Sequence, residues 1–320
     1  MRRAIVATVV AAVLLASCKP ASRGPSRVSD AREFEATPGK LVSVTVPSLD
    51  VEVRVAKRET IAVKVSLEAS SSSAGAAARW VERNRPEFSD SPGRLEISTP
   101  KRRRGTTVSF GWFRSEGRVE IELPPGCLLE VDTASGDVAV AGDEGLEGVV
   151  HIDTASGDVT VTGGTRELSV DTASGDVEIS GAEIATLLLD TASGDVRVKS
   201  RVGRAQVETA SGDVRLEALA GPLAAETASG DLFARWRSRP DEGAARIRTA
   251  SGDVRLRFPA TTVLHGEVRT TSGHLRSEFD GEWGKRRHSL VLSAVEGGFE
   301  VRIRTASGDV SLATEMAEVI

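Results

Sequence analysis

Hydroxyl and carboxylate side chains recur together in the string Thr-Ala-Ser-Gly-Asp, which occurs eight times between Thr133 and Asp309. A ninth, degenerate copy at residues 270–274 ends in His274. Nucleophilic and acid–base catalysis use these groups, and stacked aspartates could also ligate Ca²⁺. The serine, glycine and aspartate of the eight copies are Ser135, Gly136, Asp137, Ser156, Gly157, Asp158, Ser174, Gly175, Asp176, Ser193, Gly194, Asp195, Ser211, Gly212, Asp213, Ser229, Gly230, Asp231, Ser251, Gly252, Asp253, Ser307, Gly308 and Asp309.

The repetition itself argues against catalysis. A serine hydrolase needs one activated serine beside a histidine and an acid, whereas the chain has four scattered histidines. The string Asp132-Thr133-Ala134 differs from the Asp-Thr-Gly of aspartic proteases at its third residue, and those enzymes need two facing turns. We therefore expect no enzyme, no cofactor and no metal site. A polysaccharide-acting enzyme is the third-ranked alternative.

The aspartates have a structural interpretation. If the copies stack, neighbouring carboxylates repel, and hydrogen bonds from turn amides or hydroxyls would offset the repulsion. Bound Ca²⁺ is the alternative, but the glycine-rich nonapeptide of calcium-binding β-rolls is missing from the sequence.

The spacing of the copies predicts the fold. Successive serines are 18 to 22 residues apart, except for one step of 35 residues, and a period near 20 indicates one stacked supersecondary unit. Apolar and polar residues alternate on both sides of each copy, which is typical of strands. We predict an all-β fold: a β-solenoid of about ten coils of roughly 18–22 residues with a divergent N-terminal β cap. An antiparallel meander is the alternative, but it gives no reason for identical turns. The 35-residue step predicts one coil without the string around residues 289–294, after an excursion at 279–287.

The N-terminus is typical of an exported protein. Arg2 and Arg3 precede an apolar run that closes with Leu15-Ala16-Ser17-Cys18, and this resembles the lipobox of a bacterial lipoprotein signal peptide. The resemblance implies cleavage and a lipid on Cys18; an ordinary secretory signal or an uncleaved anchor is the alternative. Lys19 in place of aspartate favours the outer membrane if the cell is Gram-negative. We predict a signal peptide at 1–17, a lipidated cysteine and flexible tether at 18–35, the divergent β region at 36–127 and the repeats at 128–320. Cys127, the other cysteine, is expected to be a small buried hydrophobe.

The residue before each threonine changes charge along the chain, although the net charge of −5 says little about partners. The series is Asp132, Asp153, Asp171, Asp190, Glu208, Glu226, Arg248, Arg269 and Arg304. Stacked coils would therefore form a rod that is acidic at one end and basic at the other. We predict that Arg248, Arg269 and Arg304, with Trp236 and Trp283, form a binding surface for anionic envelope polymers, lipid head groups or another protein, and not for nucleic acid. The competing interpretation is that these charges only keep the protein soluble.

The strand Val119-Glu120-Ile121-Glu122-Leu123-Pro124, followed by the repeated Thr-x-Ser-Gly-Asp-Val units, resembles the bacterial putative adhesin family, whose β-strand-repeat domain has no known function. The resemblance implies a β-solenoid of the cell envelope and carries over no catalytic residue. We therefore expect a non-catalytic, lipid-anchored envelope protein that acts as an adhesin-like or scaffold surface. The alternative is a protein that senses envelope stress or antimicrobial peptides.

Overall fold

A computed structural model describes residues 25–73, 75–100, 112–142, 146–240, 242–292 and 298–315. Among these described residues, strands account for 66% and helices for 4%, so the protein is all-β, as predicted. Cys18, the predicted signal peptide and the first part of the tether lie outside the described residues.

The described part of the N-terminal region contains seven strands and one helix. They are β1 (Ser26–Glu35), β2 (Leu41–Thr45), β3 (Asp50–Val55), β4 (Thr60–Ser71), α1 (Ala76–Asn84), β5 (Glu87–Ser91), β6 (Arg94–Ser98) and β7 (Phe113–Leu123). The flexible tether predicted at 18–35 therefore ends earlier than expected, because residues 26–35 pair along their whole length with β4.

In the repeats, one strand precedes and one follows each copy of the string. In chain order the strands are β8 (Leu128–Thr133), β9 (Val138–Ala141), β10 (Leu146–Thr154), β11 (Val159–Thr162), β12 (Thr165–Ser174), β13 (Val177–Ser180), β14 (Ile184–Ser193), β15 (Val196–Val198), β16 (Val202–Thr209), β17 (Val214–Leu219), β18 (Leu223–Ser229), β19 (Leu232–Trp236), β20 (Ala244–Ser251), β21 (Val254–Pro259), β22 (Leu264–Ser272), β23 (Leu275–Ser277), β24 (Gly281–Trp283), β25 (Ser289–Leu292), β26 (Phe299–Ser307) and β27 (Val310–Glu315). A short 3₁₀ turn at Lys285–Arg287 separates β24 from β25.

The strands that precede the string pair in parallel with one another, and so do the strands that follow it. We call these two stacks the first and second ladders, and one strand of each with the turn between them a coil. In the first ladder, β10 lies between β8 and β12, and Thr154 aligns with Thr133 on one side and Thr172 on the other. Each turn thus lies directly on the next. The arrangement is solenoid-like, and an antiparallel meander is excluded because it would pair the two strands of each coil with one another.

The core lies between the two ladders. Val150 and Ile152 of β10 and Val159 and Val161 of β11 are buried, while the residues between them face outward, as strand alternation requires. The buried side chains of all coils belong to one hydrophobic cluster. Since one coil buries only a few small aliphatic residues, its stability depends on contacts with its neighbours.

At both ends of the stack the spatial order of the coils departs from their order in the chain. At the N-terminal end β2 lies between β6 and β8, and β3 lies between β7 and β9. At the C-terminal end β26 lies between β20 and β22, and β27 lies between β21 and β23. The first coil of the chain, β2 with β3, therefore lies one position inside the stack and is covered by β6 and β7. The last coil, β26 with β27, likewise lies one position inside and is covered by β22 and β23.

This exchange corrects the interpretation of the 35-residue step. No extra coil lies around residues 289–294: the part that the structure describes, β25, pairs antiparallel with β22 at the outer end of the first ladder, and β24 pairs with β25. The described part of the additional residues forms this antiparallel end piece, and β26 then lies at the inserted position.

Antiparallel strands also close the N-terminal end. β4 pairs with β7, β1 pairs with β4, and β5 pairs with β6. The buried Lys40 amine bonds Asp90 at 2.6 Å and the Glu35 carbonyl at 2.7 Å, which ties β1 and β5 to this end. The divergent N-terminal region thus contributes the coils at this end of the stack and the strands that cover them.

Candidate functional site

The glycines of the string are required by the stack. Gly212 has φ +112°, and a Cβ placed there would lie 2.1 Å from the carbonyl oxygen of Gly194 in the coil beneath. The same contact recurs at Gly194, Gly230, Gly252 and other copies. Any side chain would force neighbouring turns apart, so glycine is needed both for its backbone conformation and for its lack of Cβ.

The aspartates of the string form a continuous hydrogen-bonded ladder. The backbone N–H of each aspartate donates to Oδ1 of the aspartate in the preceding coil, as from Asp195 to Asp176 and from Asp213 to Asp195, both at 2.9 Å. The inserted C-terminal coil follows the same rule, since Asp309 N–H donates to Asp253 Oδ1 at 2.9 Å. These turn amides offset the repulsion between stacked carboxylates.

The hydroxyls of the string are also used structurally. The Ser211 hydroxyl donates to the carbonyl of Ala192 at 3.4 Å, and the Thr209 hydroxyl donates to the carbonyl of Ser211 at 3.0 Å. Among the described residues, no group of three or more His, Cys, Asp or Glu side chains is placed to hold a metal ion. The turns provide the scaffold, and the site must be sought elsewhere.

His274 marks the outer end of the aspartate ladder. Its backbone N–H donates to Asp309 Oδ1 at 2.7 Å, and its ring Nδ1 lies 3.3 Å from the same oxygen. The amide of His274, followed by its ring, lowers the pKa of the Asp309 carboxyl. No further coil stacks on His274 within the described residues. An aspartate at this position would therefore have no backbone N–H of a following coil from which to accept a hydrogen bond. The degenerate copy therefore marks the spatial end of the stack.

The residue before each threonine forms an outward-facing column whose charge reverses along the stack. The register places Asp132, Asp153, Asp171, Asp190, Glu208, Glu226, Arg248, Arg304 and Arg269 on successive strands of the first ladder. The pKa of Asp171 is raised, mainly by burial and further by Asp190 and Asp153, although His151 acts in the opposite direction. Burial and the neighbouring carboxylates thus both disfavour ionisation of Asp171 in the acidic part of the column.

The basic part of the column is the candidate binding site. Arg304 lies between Arg248 and Arg269, whose side chains are 73% and 61% exposed. Two residues earlier on the same strands, Arg246 aligns with Arg302. We call these residues the distal arginine face: Arg246, Arg248, Arg269, Arg302 and Arg304.

Carboxylates neutralise this face only in part. Glu300 pairs with Arg246 at 3.0 Å and with Arg302 at 2.7 Å, Glu267 pairs with Arg269, and Glu226 lies 3.9 Å from Arg248. Among the described residues, no carboxylate lies within ion-pair distance of Arg304. The face therefore has surplus positive charge at its centre.

A shallow groove of about 230 Å³ runs along this face where the column changes sign. The polar side chains that line it are Gln206, Glu208, Glu226, Arg246, Arg248, Arg302 and Arg304. Its floor includes small residues such as Ala224 and Ala225. The groove suits an extended, charged ligand rather than a compact apolar one.

Of the two tryptophans predicted for the binding surface, one is buried in the core. Trp236 is 1% exposed, its indole N–H donates to the Gly221 carbonyl at 2.9 Å, and its ring stacks on Phe258 at 4.3 Å. The prediction that it binds a partner is wrong, because Trp236 falls on the inward phase of β19. Trp283 is 37% exposed on β24, with the Arg287 guanidinium 5.2 Å from its ring centre.

Sequence reasoning did not include Arg302 in the site. The alternation of β26 predicts that Arg302 faces outward, but its position beside Arg246 depends on the inserted coil. Cys127 is 1% exposed in the core, as expected, and burial raises the pKa of its thiol.

Comparison with known proteins supports the fold. The family model Toastrack DUF4097 matches residues 40–313. The crystal structure of a "putative lipid binding protein" from Parabacteroides distasonis has 14% sequence identity and a TM-score of 0.50, covering 89% of this chain and 96% of that one. A "putative adhesin" from Parabacteroides merdae has 10% identity and a TM-score of 0.46, covering 89% of this chain and 95% of that one. A search of curated proteins gave no significant match.

Proposed function

We propose that this chain, which belongs to the Toastrack DUF4097 family, is a non-catalytic binding protein of the bacterial cell envelope. Its ligand would be an extended anionic polymer that lies along the distal arginine face. In this proposal the stack is a solenoid rod of about ten coils, about 50 Å long at the spacing of neighbouring strands. The chain is held to a membrane by a lipid on Cys18.

The alignment of Arg248, Arg304 and Arg269 on three adjacent strands carries the proposal. Side chains in register on neighbouring strands are about 4.8 Å apart, and like charges at that distance repel by about 1 kcal/mol in water. A polyanion that passes over the row relieves this repulsion and pairs with Arg304. Complementary charge over several contacts gives fast association and marked salt dependence.

Nothing in the described residues suggests that this site performs chemistry. The arginines cannot act as bases because they stay protonated, and no serine, threonine, cysteine or histidine is among the residues that line the groove. The groove can therefore hold a ligand, but it lacks a nucleophile placed beside a general base.

The test is binding of dextran sulfate, with neutral dextran for comparison, to the wild type and to the variant R248E/R304E/R269E. We expect at least a tenfold loss of dextran sulfate binding in the variant, and a wild-type affinity that falls steeply with added salt. The matched control R166E/R201E/R204E makes the same change in net charge among the acidic coils and should alter binding less than twofold. Equal losses in the two variants would contradict a localised site.

The acidic part of the column favours a second candidate, the binding of cationic peptides at the cell envelope. Asp153, Asp171 and Asp190 are stacked in register, and the pKa of Asp171 is raised, mainly by burial and further by the charges of Asp190 and Asp153. A polycation would relieve this repulsion as a polyanion relieves that of the arginines. Titration with a polylysine peptide distinguishes the candidates: D153N/D190N should weaken peptide binding and leave dextran sulfate binding unchanged. A deletion strain would become more sensitive to cationic antimicrobial peptides only if this second activity matters in the cell.

A further inference from the structure

The N-terminal strands extend beyond the stack on one side. β7 pairs with β3 only from Arg118 to Leu123, so its first residues, Phe113 to Gly117, pass beyond the second ladder. They stay paired with the end of β4, where Ser71 aligns with Phe113. β1 is the third strand of this extension, with Ser26 aligned with Ala69.

Two large aromatic side chains are exposed at the tip of the extension. Trp112 is 61% exposed and Phe113 is 44% exposed. The Trp112 carbonyl accepts a hydrogen bond from the Ser72 backbone at 3.1 Å, which fixes the backbone there. We call Trp112 and Phe113 the aromatic tip.

Two pairs of charged residues on the described strands beside the tip neutralise one another. Arg27 bonds Glu68 at 2.7 Å, and Arg114 bonds Glu116 at 2.7 Å. These pairs leave little net charge around the two rings. Among the described residues, the exposed surface of the tip is therefore mainly apolar.

The chain enters the described structure at this same end. β1 begins at Ser26, which aligns with Ala69 near the end of β4. Phe113 aligns with Ser71 of β4, only two residues further along. Pro25 lies seven positions after Cys18, and a stretch of that length reaches at most about 25 Å. A lipid on Cys18 would hold the start of β1 within that distance of the bilayer surface, and the tip lies two strand spacings, about 10 Å, across from it on β7. Among the described residues, no helix is long and apolar enough to cross a membrane.

We infer that the aromatic tip docks on the surface of the lipid bilayer. This inference rests on the proposed lipid attachment at Cys18. Tryptophan favours the membrane–water interface, where its ring is buried and its N–H stays hydrated, and a nearby anchor makes even weak insertion effective because the tip is held at high local concentration. The rod is then attached at two points, so the lipid alone does not determine its orientation.

Tryptophan quenching in vesicles tests the inference on the full lipidated chain. The vesicles contain phosphatidylethanolamine and phosphatidylglycerol with brominated acyl chains, which quench only tryptophans that reach the membrane. We expect quenching of the wild type to fall at least about twofold in W112F. W283F is the matched control, because Trp283 is also partly exposed but lies at the opposite end of the stack, and quenching should be unchanged in it.

The outcomes separate this inference from the proposed anchor. If the wild type floats with vesicles and Cys18→Ser does not, the anchor is present and quenching reports on the tip alone. Flotation with no quenching, or with equal quenching in W112F, overturns the docking of the tip and leaves the anchor standing. Failure of the wild type to float overturns the anchor, and with it the argument that brings the tip to a bilayer.

Discussion

The central coils and the distal coils have the same backbone arrangement but opposite net charge. Residues 128–231 contain 20 acidic and 6 basic side chains, whereas residues 232–315 contain 11 acidic and 14 basic ones. The contact of each turn glycine with the coil beneath is the same in both regions, as at Gly212 and Gly252. The repeated string therefore determines how the coils stack, and the residues between the strings determine what the stack can bind.

The largest loss of stability should come from substitution of the turn glycines, and this loss should be equal in the two regions. Gly212→Ala and Gly252→Ala each place a Cβ 2.1 Å from a carbonyl oxygen at strongly positive φ. We expect each to lower the free energy of unfolding by about 3 kcal/mol or more, measured by urea denaturation. The control Gly93→Ala, where no atom lies within 4 Å of the added Cβ, should cost less than about 1 kcal/mol. Tolerance of alanine in only one region would show that the two do not share a scaffold.

A smaller effect should come from the aspartate ladder. Asp195→Ala removes the acceptor of the Asp213 N–H and should lower the free energy of unfolding by about 1 to 2 kcal/mol. Asp195→Asn keeps an oxygen acceptor and should cost clearly less. In the distal region Asp253→Ala also removes a carboxylate partner of Arg255, so its loss should be slightly larger than that of Asp195→Ala. Thermal denaturation of the three variants measures these differences, and a neutral Asp195→Ala would mean that the ladder does not stabilise the stack.

The smallest effect is a pH dependence of stability, which should have opposite sign at two aspartates. Burial raises the pKa of Asp231, but bonds from the Asp253 amide and Arg255 outweigh it, so the net pKa is lowered. Its stabilising contribution is present above the unfolded pKa, near 4, and is lost as the pH falls through the folded pKa. The pKa of Asp171 is raised instead, so its ionisation reduces stability as the pH rises above about 4.

Neutral variants of these two residues test the signs. At pH 7, Asp171→Asn should raise the melting temperature by up to about 2 °C, and Asp231→Asn should lower it. Both differences should shrink as the pH falls and the native carboxyls become protonated, at a lower pH for Asp231 than for Asp171. A lower melting temperature for Asp171→Asn at pH 7 would show that the acidic column is not strained by its own charge.

The stacking itself could be predicted from the sequence. Identical turns at a regular spacing are explained only if each copy lies on another, and the alternation around each string shows which residues are buried. By the same alternation Leu232, Ala234 and Trp236 share the inward phase of β19, so the burial of Trp236 was also available from the sequence. The strand β1 was harder to predict because its residues alternate weakly.

The order of the coils at the two ends could not be predicted from the repeats. Every turn carries the same residues, so any copy can stack on any other with the same hydrogen bonds and the same glycine contact. What distinguishes the inserted order is the path of the connecting segments and the antiparallel strands that cover each end. His274 is the one local signal, since a copy without aspartate suits the last position of the ladder.

The distal arginine face depends on this inserted coil, because Arg304 separates Arg248 from Arg269 only if β26 lies between β20 and β22. Cysteine pairs at these positions, in a chain with Cys18→Ser and Cys127→Ala, test the order under mild oxidation. Adjacent strands bring Cα atoms to about 4.8 Å, within the range of a disulfide, whereas two spacings do not. We predict that R248C/R304C and R304C/R269C form disulfides and that R248C/R269C does not. Efficient cross-linking of R248C/R269C, with none in R248C/R304C, would contradict the inserted coil and the binding face built on it.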